Sequence, residues 1–398
     1  MIPRILEKKL RIAAKQYPVV TLTGPRQSGK TVLSRAAFPD YKYVSLEDPE
    51  TRSFAIEDPR GFLEQFEANV ILDEIQRTPD LFSYIQTRVD ENDRAGEFIL
   101  TGSQNFLLLK TISQTLAGRC AILHLLPFSV SELMAWLELN TDEIGLKYPS
   151  GRQKPDSNLL QWLFTGFYPR IHDKKLSPQE WLKNYTQTYL ERDVRDIVNV
   201  GDLEAFRRFM ALCAGRVGQL LNLSSLAADC GITHTTARRW LSVLETSFIV
   251  ILLRPHYQNF NKRMVKAPKL YFLDTGLLCY LLRIRKPEEL RMHSARGAIF
   301  ESFVISELYK KALHIGQDPD FYFWRDSAGH EVDVIIDKGL ELIPLEIKAG
   351  RTVAKDFFKG LDYWKRISGK GDASAALLYA GDQSFQRKGV SVYAWWNF

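Results

Sequence analysis

The sequence predicts an α/β protein whose N-terminal part rests on a mostly parallel sheet, and three observations carry that expectation. Short β-rich runs alternate with helical stretches over residues 17–104. A glycine-rich turn, GPRQSGKT, stands between the first run and the first helical stretch. The apolar run NVILDEIQ ends in two carboxylates. Strands separated by helical crossovers pair in parallel, and such sheets are covered on both faces.

Each element follows from local pattern. YPVVTLT is a first strand, SGKTVLSRAAF opens a helix, and KYVSLED is a second strand. FLEQFEA reads as helix, NVILDEIQ as a third strand, SYIQTRVDEN as helix and EFILTG as a fourth strand. Beyond Ser103 the pattern turns helical, including residues 129–138, and the polar stretch at 141–158 reads as a loop. The expected units are a nucleotide-binding α/β domain at 1–140, a helical connector at 141–200 with NYTQTYLERDVRDI its clearest member, a winged-helix-like unit at 201–267, and a second α/β core at 268–398.

Composition narrows the class. With 398 residues, 45% of them hydrophobic and 25% charged, the chain has the makings of several folded domains. A net charge of +6 is too diffuse to name a partner. Cys120, Cys213, Cys230 and Cys279 lie far apart among apolar residues, which argues against a zinc site or disulfide framework and for a reducing, cytoplasmic compartment. No signal peptide and no apolar stretch of the roughly 18 residues that a membrane span requires are expected.

The chemistry concentrates at two places. Gly24, Pro25, Arg26, Gln27, Ser28, Gly29, Lys30 and Thr31 match G-x-x-x-x-G-K-T after a strand and before a helix. In such a loop the glycines free backbone N–H groups to wrap phosphate oxygens, the lysine reaches the β- and γ-phosphates and the threonine hydroxyl ligates Mg²⁺. Asp73, at a strand end, suits the Mg²⁺ shell, and Glu74 suits activation of the attacking water. Thr101 and Ser103 end the next strand and are both candidates for orienting water or sensing the γ-phosphate, or for capping a turn. Arg119 is a candidate for charge on the transferring phosphoryl group, in its own subunit or across a boundary, and equally for a surface pair. Arg26 lies over nucleotide or faces a partner.

GPRQSGKT, LDEIQ, ILTGSQ and LAGR, continued by YLERDV, PKLYFLDTGL and WRDSAGHEVDVII…PLEIKAG, resemble the bacterial and archaeal ATP-binding proteins with an AAA-type ATPase core and a C-terminal domain of unknown function. The resemblance spans nearly the whole chain. It implies ATP and Mg²⁺ as cofactors of an ATPase, and it leaves the biological role open.

Two further units bear on partners. Residues 224–246 fit helix, Gly231 turn and helix, with FIVILLRP able to begin a wing. Thr235, Thr236, Arg238 and Arg239 sit at the front of the second helix. From Thr233 to Lys269 Arg238, Arg239, Arg254, Lys262, Arg263, Lys266 and Lys269 stand against the single acid Glu245, a balance that suits DNA phosphate as well as a solvated packing face. In the last unit Asp333, Glu346 and Lys348 form D-x₁₂-E-x-K, and Glu301 on the preceding helix adds a carboxylate. Residues two apart on a strand share a face, so Glu346 and Lys348 point together. This arrangement resembles the PD-(D/E)xK restriction-endonuclease-like fold, and the resemblance implies a second divalent metal site and nuclease chemistry. The alternative is a binding domain of paired ions, in which case the chain is an ATP-gated switch for a protein partner. Oligomer formation is open.

Overall fold

The computed structural model describes residues 2–67, 69–92, 94–102, 115–136, 154–156, 158–190, 203–256, 266–368 and 374–397. Its N-terminal sheet comprises β1 (Val19–Thr23), β2 (Lys42–Ser45), β3 (Val70–Asp73), β4 (Phe98–Thr101) and β5 (Cys120–His124), in the order β2-β3-β4-β1-β5 and parallel throughout. Period-two alternation sorts the side chains onto two faces. Val20, Leu22, Ile71 and Ile99 pack with Leu6, Leu10 and Leu33 of α1 (Leu6–Ala13) and α2 (Lys30–Ala37). Val19, Leu72, Phe98 and Leu100 pack on the other side with Phe62, Phe82 and Ile85. Those three belong to α4 (Pro59–Glu64) and α5 (Leu81–Asn92), which follow α3 (Pro49–Glu57). Asp48 and Asp58 cap α3 and α4, each followed by a proline at the first helical position.

β5 corrects the expectation of helix beyond Ser103. Ala121 and Leu123 favour helix as readily as strand, so pairing with β1, and not local propensity, makes CAILH a strand at the sheet edge. Register then brings the strand ends together: Asp73 lies beside Thr101, and Leu22 beside Thr101 on the other flank.

After a short α6 (Val130–Leu133), closed by a capping box of Ser129 and Glu132, come α7 (Leu159–Thr165), α8 (Pro169–Lys174) and α9 (Pro178–Tyr185). The segment expected as the clearest connector helix continues as a π-turn at Thr186–Leu190 and then lies outside the described residues, as do most of the loop at 141–158 and the site candidate Ser103. Then follow α10 (Leu203–Gly215), α11 (Leu223–Cys230) and α12 (His234–Thr246). The α11–α12 turn is made by Gly231 at φ 73°, and Thr233 caps α12.

The remaining strands are β6 (Val250–Pro255), β7 (Lys269–Phe272), β8 (Phe321–Arg325), β9 (Glu331–Asp337), β10 (Leu342–Lys348), β11 (Ala375–Tyr379), β12 (Phe385–Arg387) and β13 (Val390–Ala394). They form one mixed sheet in the order β12-β13-β11-β10-β9-β8-β6-β7. The strands β8, β9 and β10 are antiparallel neighbours, and β10, β11 and β13 run parallel. Strands β6 and β7, on either side of the expected boundary at 267/268, pair with each other, and β6 also pairs with β8. Between β7 and β8 run α13 (Thr275–Leu281) and the long α14 (Arg296–His314), and α15 (Lys359–Ser368) precedes β11. One apolar cluster extends from Leu126 to Trp396, with Phe167, Phe303 and Trp395 at its centre, and ties the middle helices to α14 and the larger sheet.

Candidate nucleotide site

The loop between β1 and α2 wraps around its own lysine. Gly24 has φ 144°, and a Cβ there would stand 2.1 Å from the Leu125 carbonyl oxygen, so only glycine fits. Gly29, at φ 95°, forms the N-cap of α2. Lys30 Nζ donates to the carbonyls of Gly24 at 3.1 Å and Pro25 at 2.9 Å. At the adjoining strand end, Asp73 gathers hydroxyl donors. Thr31 Oγ1 and Tyr43 OH each donate to Oδ2 at 2.8 Å, Thr101 Oγ1 donates to Oδ1, and the Glu74 N–H reaches Oδ1 at 3.1 Å. Burial, then the hydrogen bond and charge of Asp73, push the Tyr43 phenol up to about 12. Glu74 takes φ 58°, a left-handed backbone uncommon for glutamate, and its carboxylate accepts from Gln76 Nε2.

A cavity of about 640 Å³ adjoins them, its lining including Arg4, Arg26, Lys30, Thr31 and Glu74 from the N-terminal part and Arg170 and Lys174 from α8 across it. A second hollow of about 280 Å³ also borders Arg26 and Arg170 and reaches Trp181 and Tyr185 of α9. Arg119 lies elsewhere. It precedes β5, at the end of the parallel sheet opposite the loop, and its guanidinium holds both oxygens of Asp90, with Nη2 to Oδ2 at 2.9 Å. Within its own chain the sheet separates it from the loop of residues 24–31. Sequence reasoning missed Tyr43, Arg170 and Arg4. Strand register carried a signal for Tyr43, since β2 lies beside β3. For the two arginines no local motif exists.

The C-terminal residues do converge. Lys348 Nζ is 2.5 Å from Glu346 Oε2 and 3.2 Å from Asp333 Oδ2, and the Ile347 N–H donates to Asp333 at 2.8 Å. Tyr271 OH donates to Glu301 Oε2 at 3.1 Å. Burial, then the charge of Asp333, pushes Glu301 up to about 7 and raises Glu346 well above the ordinary carboxylate range. Burial opposes the Asp333 charge as well, but Lys348, the hydrogen bond with Glu346, and Lys269 outweigh it and hold Asp333 below its usual value. Lys348 stands between the two carboxylates, and among the described residues no group of three or more His, Cys, Asp or Glu side chains is disposed to hold a metal.

Five of the seven basic residues between Thr233 and Lys269 are described. Lys269 is buried against Glu331, Arg254 pairs with Glu245 at 3.5 Å, and Lys262 and Arg263 lie outside the described residues. Arg238 and Arg239 on α12, together with Arg254 and Lys266, are exposed.

Comparison with known proteins fits this geometry. The chain is 31% identical over 348 residues to the uncharacterized protein Rv2008c of Mycobacterium tuberculosis, covering 86% of this chain and 73% of the relative, and equally to Mb2031c of Mycobacterium bovis. The chain belongs to their family. The uncharacterized protein MJ1544 of Methanocaldococcus jannaschii is 22% identical over 384 residues, covering 89% of this chain and 82% of its own. Within the family frame, residues 16–134 match the AAA domain model, and residues 156–288 and 296–398 match two domains of unknown function, DUF8612 and DUF4143. Among solved structures, the Walker-type ATPase PABY2304 of Pyrococcus abyssi aligns over 70% of this chain and 95% of its own at 16% identity and a TM-score of 0.44. Among the described residues no helix is long and apolar enough to cross a membrane.

Proposed function

We propose that this protein binds ATP with Mg²⁺ at residues 24–31 and Asp73 and hydrolyses it, with Glu74 activating the attacking water. One observation carries the reading: Thr31 and Asp73, 42 residues apart, touch at 2.8 Å beside a glycine loop with its lysine at the centre. The donor set fits the cofactor, since a hydroxyl and a carboxylate are hard oxygen ligands of the kind Mg²⁺ takes. When bound, Mg²⁺ neutralises phosphate charge and polarises the transferring phosphoryl group. Lys30 exchanges two neutral carbonyl partners for anionic phosphate oxygens, a stronger pairing. Arg170 and Lys174 add positive charge from the facing helix, and Glu74, with its left-handed backbone, lines the same cavity. Thr101 holds the second oxygen of Asp73 and so orients it.

A DNA partner for the middle unit is part of this proposal, supported by the exposed Arg238 and Arg239 at the front of α12 beside the β6–β7 hairpin. For the last unit the lysine held between Asp333 and Glu346 favours the second reading, a nuclease-like scaffold without cleavage that engages a protein partner under nucleotide control.

The test is ATP turnover by the full chain with Mg²⁺ and with EDTA, with and without duplex and single-stranded DNA, in the same tubes assayed for strand scission. Lys30→Ala is expected to lower ATP binding and turnover by at least about a hundredfold, and Glu74→Gln to bind ATP but turn over about a hundredfold more slowly. Unchanged turnover in both variants would refute the site. Equal rates with and without DNA at low salt would remove DNA from the proposal.

A further inference from the structure

Beside the loop of residues 24–31, with Arg4 and Phe128 on the wall of the same cavity, lies a buried group of charges that ATP chemistry does not require. Arg4, ahead of α1 and only 9% exposed, donates from Nη1 to the Ser28 carbonyl at 2.7 Å and from Nη2 to the Leu126 carbonyl. Its Nε is 3.0 Å from Glu132 Oε1, and the Phe128 ring lies 4.7 Å from its guanidinium carbon. Glu132 is fully buried and also accepts from the Ile5 and Ser129 N–H groups at 2.9 and 3.0 Å. His314, at the last turn of α14 and fully buried, faces it with Nδ1 3.4 Å from Oε1, while its Nε2 accepts from the Leu126 N–H at 3.2 Å. Two turns earlier on α14, Glu307 accepts from the Val130 N–H and from Lys310 Nζ, both at 2.8 Å.

Desolvating this many charges costs several kcal/mol per ion, and an apolar contact of equal volume would be at least as stable. What the charges add is direction. A trans peptide is planar, with its C=O and N–H on opposite sides. A guanidinium that pins the Ser28 carbonyl therefore fixes the direction of the Gly29 N–H, one of the loop donors that would meet a phosphate. Arg4 can do this only while Glu132 and Leu126 hold it, and both are contacted by His314 of α14. The same helix carries Glu301 thirteen residues earlier, about 20 Å along a rigid rod, in the C-terminal charge cluster.

We propose that Arg4 is a positioning residue for the phosphate loop, setting the Ser28–Gly29 peptide, and that its anchorage through Glu132 to His314 makes α14 part of the nucleotide site. This rests on the loop being an ATP site. Occupancy that moves or stiffens the Ser28 peptide then changes the hold on His314, and by linkage any partner that shifts α14 changes ATP affinity by the same factor.

The experiment uses the full chain, a fluorescent ATP derivative with Mg²⁺ for affinity, steady-state kinetics, and amide hydrogen exchange with and without Mg-ATP. In the wild type, Mg-ATP is expected to slow exchange in residues 24–31 and in 296–314. Arg4→Lys keeps the charge but loses the fork, and is expected to raise KM about tenfold while kcat stays within about threefold. At saturating ATP it should also abolish the exchange response of 296–314. His314→Asn, which does not touch the loop, should weaken ATP about threefold, a fraction of one charge-assisted hydrogen bond. Should both variants bind ATP like the wild type and merely melt earlier, Arg4 is only structural and the inference falls. Protection of 24–31 with no change in 296–314 in the wild type refutes the coupling without need of any variant. Absence of protection at 24–31 overturns the ATP reading itself, and this inference with it.

Discussion

The two carboxylate clusters of this chain use opposite means to hold an acid. Asp73 is held by hydroxyls: Thr31, Tyr43 and Thr101 donate to it, and no cation is among these partners. Asp333 and Glu346 are held by Lys348, with Lys269 adding its field. Neutral donors can be exchanged for a metal at small cost, because each hydroxyl finds another acceptor and no charge is stranded. A lysine bound between two buried acids resists exchange, because a cation entering there must first displace a cation. The comparison separates an acid held by neutral hydroxyls from a pair of acids held by a lysine.

The sharpest way to break this contrast is Lys348→Met. It strands two buried acids, and a loss of about 3–5 kcal/mol of stability is expected in chemical denaturation, with partial recovery when Asp333→Asn is added. If Lys348→Met melts like the wild type, the C-terminal cluster is not held by its lysine.

Asp73→Asn should behave in the opposite way. The amide still bonds to hydroxyls, so stability should fall by only about 1 kcal/mol, while ATP turnover falls about a hundredfold. Parallel thermal melts and turnover rates check it, and a large loss of stability would erase the distinction drawn between the clusters.

The smallest effect sharpens the picture of the C-terminal acids. Glu301 sits at about 7 in the folded protein against an ordinary value of 4.5, so the folded state holds that proton more tightly than the unfolded chain. The stability this contributes is complete below about pH 4.5 and is lost as pH rises through 7. Glu301→Gln removes the loss, and its thermal midpoint should exceed that of the wild type by a few degrees at pH 8, with the gap closing toward pH 5. A constant gap across this range would place the burial cost on another residue.

Legibility from sequence followed the range of the interactions involved. Residues 24–31 could be read because a phosphate loop is a contiguous backbone device, and Asp73 because an apolar run announces a buried strand whose polar end must emerge. Asp333, Glu346 and Lys348 were legible as one face of adjoining strands by the same alternation. β5 was not, because its alanine and leucine favour helix as readily as strand and only pairing with β1 decides between them. The roles left open for Arg119, phosphoryl charge or surface pair, could not be separated locally, and the fold places it in a pair with Asp90. The pairing of β6 with both β7 and β8 likewise joins residues that sequence reading divided at 267/268.

By itself the sequence determined the chemistry available at each point: glycines where the backbone must turn back, a lysine and threonine after them, acids at strand ends. Tertiary structure alone decided which of these groups meet and what each is bonded to. Side-chain types and short-range periodicity are local properties, whereas the Arg4–Glu132–His314 contact spans 310 positions of chain and exists only once α1, α6 and α14 have packed. Whether an acid is held by a hydroxyl or by a lysine depends on that packing.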